Sequence, residues 1–135
     1  MLTKKTKYGL KAMAYLARNS HGNPILISEI ATKESIPLKF LEGILLDLKK
    51  NGLLSSKKGK GGGYFLEVPA QSIPIASIIR VLDGPIALLP CVSLNYYQKC
   101  DDCPDEMTCS LNRVMVQVRD KTLKVLESQS LEDLI

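Results

Sequence analysis

Four cysteines fall within nineteen residues, at Cys91, Cys100, Cys103 and Cys109, with gaps of eight, two and five residues between them. Thiolates grouped this closely suit soft metal ions, and in a reducing compartment such a group holds a metal more often than it forms disulfides. The chain has 135 residues, 45% hydrophobic and 24% charged, enough to bury a stable core without covalent staples. Three chemistries compete for the thiols. Structural zinc accepts four thiolates, although only one of the two C-x-x-C knuckles usual in such sites is present. An iron–sulfur cluster also takes four thiolates, at less stereotyped spacing. A thiol redox enzyme would use Cys100 and Cys103 alone, but Pro104 and the acidic neighbours Asp101, Asp102, Asp105 and Glu106 oppose the low thiolate pKa that chemistry needs. Spacing leaves zinc and iron–sulfur open. The acidic residues otherwise read as solvating the loop, and the single histidine, His21, reads as a solvated turn residue. No Ser, His and Asp set or carboxylate pair can be argued, so no enzyme is expected.

A second group of residues suits a polyanion. Residues 1–60 carry 12 Lys plus Arg against 4 Asp plus Glu, a net +8, whereas residues 61–135 carry 6 against 10, a net −4. Three of the basic residues, Lys57, Lys58 and Lys60, surround Gly59 and precede Gly61, Gly62 and Gly63, a tip that can approach a phosphate backbone closely. It is not a nucleotide site, because neither G-x-x-x-x-G-K-[ST] nor a strand leading through G-x-G-x-x-G into a helix occurs.

The elements that must position these groups follow from periodicity and punctuation. Apolar residues from Tyr8 to Ala17 form one side of a helix over Thr3 to Asn19, stopped by Gly22, Asn23 and Pro24. Ser28 suits the N-cap of a short second helix reaching Ser35, with Glu29 in its first turn. Pro37 suits the first position of a third helix, whose inward stripe is Leu38, Leu41, Ile44, Leu45 and Leu48 and whose end is Asn51-Gly52. Leu53 to Ser56 and Tyr64 to Val68 read as strands of a hairpin around the basic tip. A fourth helix spans Ile75 to Leu82, closed by Asp83-Gly84-Pro85, and the cysteine stretch follows without periodicity. Leu111, Val114, Met115, Val118, Thr122, Val125 and Leu126 then recur at three and four in a long amphipathic helix.

Two short helices joined by a tight turn, then a basic hairpin, is the order of a winged helix-turn-helix, whose second helix enters the DNA major groove. The fold expected is mainly α with a small β-hairpin: a DNA-binding domain over residues 1–85, a cysteine-rich metal or cluster loop over 86–109, and a dimerisation helix and tail over 110–135. Lys39, Glu42 and Gly43, beside Pro37, point away from the inner stripe and would meet base edges, Glu42 accepting from cytosine and Lys39 donating to guanine or phosphate. Ser28 on the second helix and Lys57, Lys58, Gly59 and Lys60 on the wing complete the expected DNA face. No apolar run approaches the ~18 residues of a membrane span, and no cleavable leader is evident, so the chain reads as cytoplasmic, with reduced thiols.

Particular motifs sharpen this. Ile30-Ala31, Leu41-Glu42, Leu48-x-x-Asn51-Gly52-Leu53 and the wing Gly59-x-Gly61-Gly62-Gly63-Tyr64 resemble the IscR-type winged-helix repressors of the Rrf-two family, along essentially the whole chain. The resemblance implies a homodimeric regulator of transcription that binds a double-stranded operator and senses iron–sulfur, redox or nitric oxide status through a cluster. It implies ligation by Cys91, Cys103 and Cys109 and a dimer interface on the helix from Ser110 to about Ser128. Two departures stand out. Asn112, a poor iron ligand, occupies the position of an IscR histidine, and Cys100 is an additional thiol, so an all-cysteine site of 2Fe-2S or 4Fe-4S type is implied, with zinc the alternative cofactor. Lys58 stands where IscR carries a wing arginine, and lysine is the more strongly hydrated point charge.

Overall fold

A computed structural model describes residues 2–135. The chain runs α1 (Lys4–Asn19), α2 (Ile27–Glu34), α3 (Leu38–Lys50), β1 (Leu54–Lys57), β2 (Gly63–Leu66), α4 (Ile75–Leu82) and α5 (Ser110–Ser128), with short 3-10 turns at Ala70–Ser72, Pro90–Val92, Glu106–Thr108 and Leu131–Leu134. The mainly α architecture with one antiparallel hairpin is the one expected. Thr3 starts α1 by accepting the Thr6 amide at 3.2 Å. Its buried face, Thr6, Gly9, Ala12, Met13 and Leu16, has the spacing of one helix side. A Cβ on Gly9 would lie 2.0 Å from Leu82 Cδ1, so this glycine permits the close approach of α1 to α4.

The helix-turn-helix departs from its expected boundaries in two places. Ser28 is not the cap of α2. The helix begins at Ile27 behind Leu26, whose carbonyl accepts from Glu29 at 3.1 Å, and Ser28 lies in its first turn. The cause is distant in sequence: Ile25 exchanges both backbone hydrogen bonds with Tyr64 at 2.8 Å, an isolated bridge against the wing that fixes where the chain enters α2. Pro37 caps α3 rather than opening it, its carbonyl accepting from Leu41 at 2.9 Å. The inner stripe of α3 is Leu41, Ile44, Leu45 and Leu48, while Leu38 stands 44% exposed.

The hairpin pairs Leu54 with Leu66 and Lys57 with Gly63, about one residue displaced from the expected strands. A Cβ on Gly63 would sit 2.3 Å from the Ile25 carbonyl oxygen, and its φ is +142°. Glycine is therefore required there by the Ile25–Tyr64 bridge as well as by the turn.

Met13, Leu16, Ile30, Leu41, Ile44, Leu45, Leu48, Ile73 and Ile78 form the core. Leu131, from the other end of the chain, is fully buried among them. Its turn is started by a reciprocal Ser130–Asp133 capping box, and its amide donates to the Ile73 carbonyl at 2.8 Å. The tail after α5 thus packs into the helix-turn-helix module. By contrast, α5 buries only Leu123.

Candidate nucleic-acid interface and cysteine site

Because the stripe of α3 faces inward, the opposite side is open. Lys39, Glu42, Gly43 and the preceding Pro37 are exposed, as are Ser28 on α2 and Lys57, Lys58, Gly59 and Lys60 on the wing. Helix and wing are held in fixed relation: Lys49 Nζ donates to Ser56 Oγ at 2.7 Å, and the Gly62 amide donates to the Gly59 carbonyl at 3.0 Å within the tip. Among the described residues no ion pair involves a wing lysine, so these charges are available to an outside anion. Sequence reasoning missed Lys49 and the Ile25–Tyr64 bridge, both of which depend on contacts across elements. Phe40, although 39% exposed, is occupied by an edge-on contact with Tyr8, ring centroids 5.6 Å apart.

The four cysteines are free thiols. Cys91 lies buried in the Pro90–Val92 turn. That turn is tied to α5, because the half-buried Arg119 donates from Nη1 to the Val92 carbonyl at 2.9 Å. Cys109 is the N-cap of α5, its sulfur accepting from the Asn112 amide at 3.4 Å. The Asn112 side chain donates to Cys91 Sγ, also at 3.4 Å. The neighbouring Cys91 thiol, with desolvation and the negative charge of Asp102 nearby, pushes the Cys100 thiol up to about 11. Desolvation, with Cys109 and Glu106 nearby, raises Cys103. Cys100 thus neighbours Cys91 and Cys103, and Cys103 neighbours Cys109. Among the described residues no three His, Cys, Asp or Glu side chains converge on one metal position. Raised pKa values in Cys100 and Cys103 are the opposite of what a thiol nucleophile needs.

Two acidic residues do more than solvate this loop. Asp105 accepts from the Met107 amide at 3.0 Å and so starts the turn before Cys109. Glu106 accepts from the Tyr97 hydroxyl, an interaction that pushes Tyr97 to about 12 and joins the two halves of the loop. Neither role is visible in spacing alone.

On α5, Leu111, Val114, Val118, Thr122 and Val125 form an exposed stripe, with Met115 and Leu126 half-buried beside it. Val118, Thr122 and Leu126 also line a groove of about 260 Å³ closed by Leu2, Ile79 and Pro85 to Leu88.

A family model described as Rrf2, iron-dependent transcriptional regulator, matches residues 2–135. The chain belongs to the Rrf2 family. It is similar, at 44% identity over 138 residues, to an rrf2-like HTH-type transcriptional regulator of Rhodobacter capsulatus, a match covering 100% of this chain and 92% of that protein. It is 32% identical to the regulator IscR of Photorhabdus laumondii, over 99% of this chain and 78% of that one. Among solved structures, CymR, the global cysteine regulator of B. subtilis, superposes with a TM-score of 0.80 at 30% identity, over 99% of this chain and 95% of that chain. T. potens IscR does so with a TM-score of 0.78 at 28% identity, over 99% and 85%. As an Rrf2 protein the chain is a DNA-binding transcriptional regulator and not an enzyme, which removes the thiol redox reading of Cys100 and Cys103. Among the described residues no helix is long and apolar enough to cross a membrane.

Proposed function

We propose that this Rrf2 regulator is a homodimeric repressor that reads iron–sulfur, redox or nitric oxide status through a cluster held by Cys91, Cys100, Cys103 and Cys109. The observation that carries the reading is the gathering of four free thiols about the start of α5, where Asn112 bridges Cys91 and Cys109. A single zinc ion would draw all four sulfurs to about 2.3 Å from one point. A cluster spreads its iron atoms over a larger volume, and four thiolates are its usual ligands. The family's description as iron-dependent and the similarity to IscR support the same choice. When bound, the cluster supplies a thiolate-held iron centre sensitive to oxidants and nitric oxide. Thiols lose their protons on ligating iron, so the site loads with release of protons.

The chain's own residues carry the consequence. Arg119 fixes the Cys91 turn to α5, and Arg80 pairs with Glu127 at 3.0 Å across α4 and α5. Past the end of α5, the Gln129 carbonyl accepts from Ile75 at 3.0 Å, and Leu131 enters the helix-turn-helix core. A change in the loop is thereby transmitted along one helix to the DNA-binding module. The exposed Leu111, Val114, Val118, Thr122 and Val125, with Met115 and Leu126, pair with a second copy, since spacing at three and four is that of a helix–helix seam. In the dimer each α3 offers Pro37, Lys39, Glu42 and Gly43 to the major groove, with Ser28 beside it, and each wing offers Lys57, Lys58, Gly59 and Lys60 to the backbone.

Anaerobic purification with visible absorption and metal analysis tests this. Brown protein containing iron and sulfide is the expected result; colourless protein with stoichiometric zinc overturns the cluster. Four free thiols in one loop also suit a second reading, a thiol-oxidation switch, which metal-free protein gaining disulfides on mild oxidation would establish instead.

A further inference from the structure

Asn112 occupies the third position of α5 and touches two of the four sulfurs through two different groups. Its amide N–H donates to Cys109 Sγ and its side-chain Nδ2 donates to Cys91 Sγ, each at 3.4 Å. The two cysteines are eighteen residues apart in sequence, one in a buried turn and the other at the helix cap. We propose that Asn112 serves the site as a hydrogen-bond donor that holds Cys91 and Cys109 together, and not as a ligand. This inference rests on the cluster reading above.

The chemistry of the side chain supports the assignment. A carboxamide nitrogen bearing two hydrogens has no lone pair for iron, whereas it is a good donor to sulfur. A metal-bound thiolate carries no proton, so it accepts only, and the Nδ2 face is the one that complements it. The backbone bond adds the positive end of the α5 dipole to Cys109. Partners of this kind tune the metal and its affinity, and hydrogen bonds to sulfur are one of the protein's levers on cluster potential. A donor withdraws electron density from sulfur and so favours the reduced, more negative state. Asn112 thus sets the separation of the two sulfurs before a cluster arrives and raises its potential afterwards.

Three variants test this in the full chain: Asn112→Ala, which removes the donor; Asn112→Asp, which replaces it with an acceptor of the same shape; and Asn112→His, which adds a competent ligand. Anaerobic redox titration of the loaded proteins is expected to show the potential falling in Asn112→Ala and falling further in Asn112→Asp. Electron paramagnetic resonance is expected to show nitrogen coupling in Asn112→His and none in the wild type. In metal-free protein carrying Cys100→Ser and Cys103→Ser, a short bifunctional maleimide should join Cys91 to Cys109 severalfold more slowly once Asn112 is alanine, relative to a monofunctional reagent. A loaded wild type whose potential equals that of Asn112→Ala, with equal cross-linking, overturns the donor role and leaves the cluster reading standing. Nitrogen or amide-oxygen coordination in the wild type overturns it in favour of ligation. A wild type that takes up no iron overturns the cluster reading and this inference with it.

Discussion

Replacing Lys58 by alanine removes one charge from each wing tip while leaving the fold intact. Lys58 lies just beyond the last hairpin pair, Lys57 with Gly63, is exposed, and forms none of the ion pairs among the described residues. Its role is therefore confined to whatever approaches from outside. Each phosphate neutralised on duplex DNA contributes about 0.9 to the slope of log affinity against log salt. A dimer that sets both wings on the backbone should lose about 1.8 from that slope, equivalent to about a twelvefold narrowing of the affinity change over a fourfold range of salt. Fluorescence anisotropy reads this directly, using a fragment selected by the protein from a random-sequence pool and titrated at several salt concentrations. A loss of about 0.9 would mean that one wing engages per dimer. An unchanged slope refutes the placement of the wing on DNA.

Three further outcomes follow from the packing. Val118→Asp, on the exposed stripe of α5, should change monomer stability by no more than about 0.5 kcal/mol, as surface changes do, yet convert the dimer to monomer in sedimentation velocity; a persisting dimer removes the stripe from the interface. Leu131→Ala should cost about 2–5 kcal/mol in urea unfolding, the usual loss for a buried leucine, because Leu131 is fully buried in the helix-turn-helix core; a negligible loss would mean that the tail is an appendage. Gly63→Ala sets a methyl 2.3 Å from the Ile25 carbonyl oxygen at a φ of +142° and should cost about 1–3 kcal/mol, with weaker DNA binding as the wing separates from Ile25; unchanged stability and affinity would contradict the bridge's role.

Local signals carried much of the fold. The bounds of α4 and α5 follow from punctuation and periodicity, since Pro74 and Asp83 flank the one and a run of threes and fours spans the other. Where the chain's course depends on distant contacts, local signals misplace it. Ser28 is a good cap by type, but the pairing of Ile25 with Tyr64, 39 residues away, starts α2 two residues earlier. The Ser130–Asp133 box has a readable pattern of S-x-x-D, but nothing local shows that Leu131 returns to a core built from the other end of the chain. In the cysteine loop, spacing identified the four thiols. The position of Asn112 between Cys91 and Cys109 arises from how the Pro90–Val92 turn docks on α5.

The central claim, that the cysteine site governs the DNA-binding face, is tested most directly by titrating one preparation in two states. Cluster-loaded protein and the same protein stripped of iron are measured against the same selected DNA fragment at one salt concentration. Coupling between two sites is typically about 1–3 kcal/mol, or roughly 5- to 150-fold in affinity, and the account predicts dissociation constants that differ within that range. Equal affinity in the two states would contradict it.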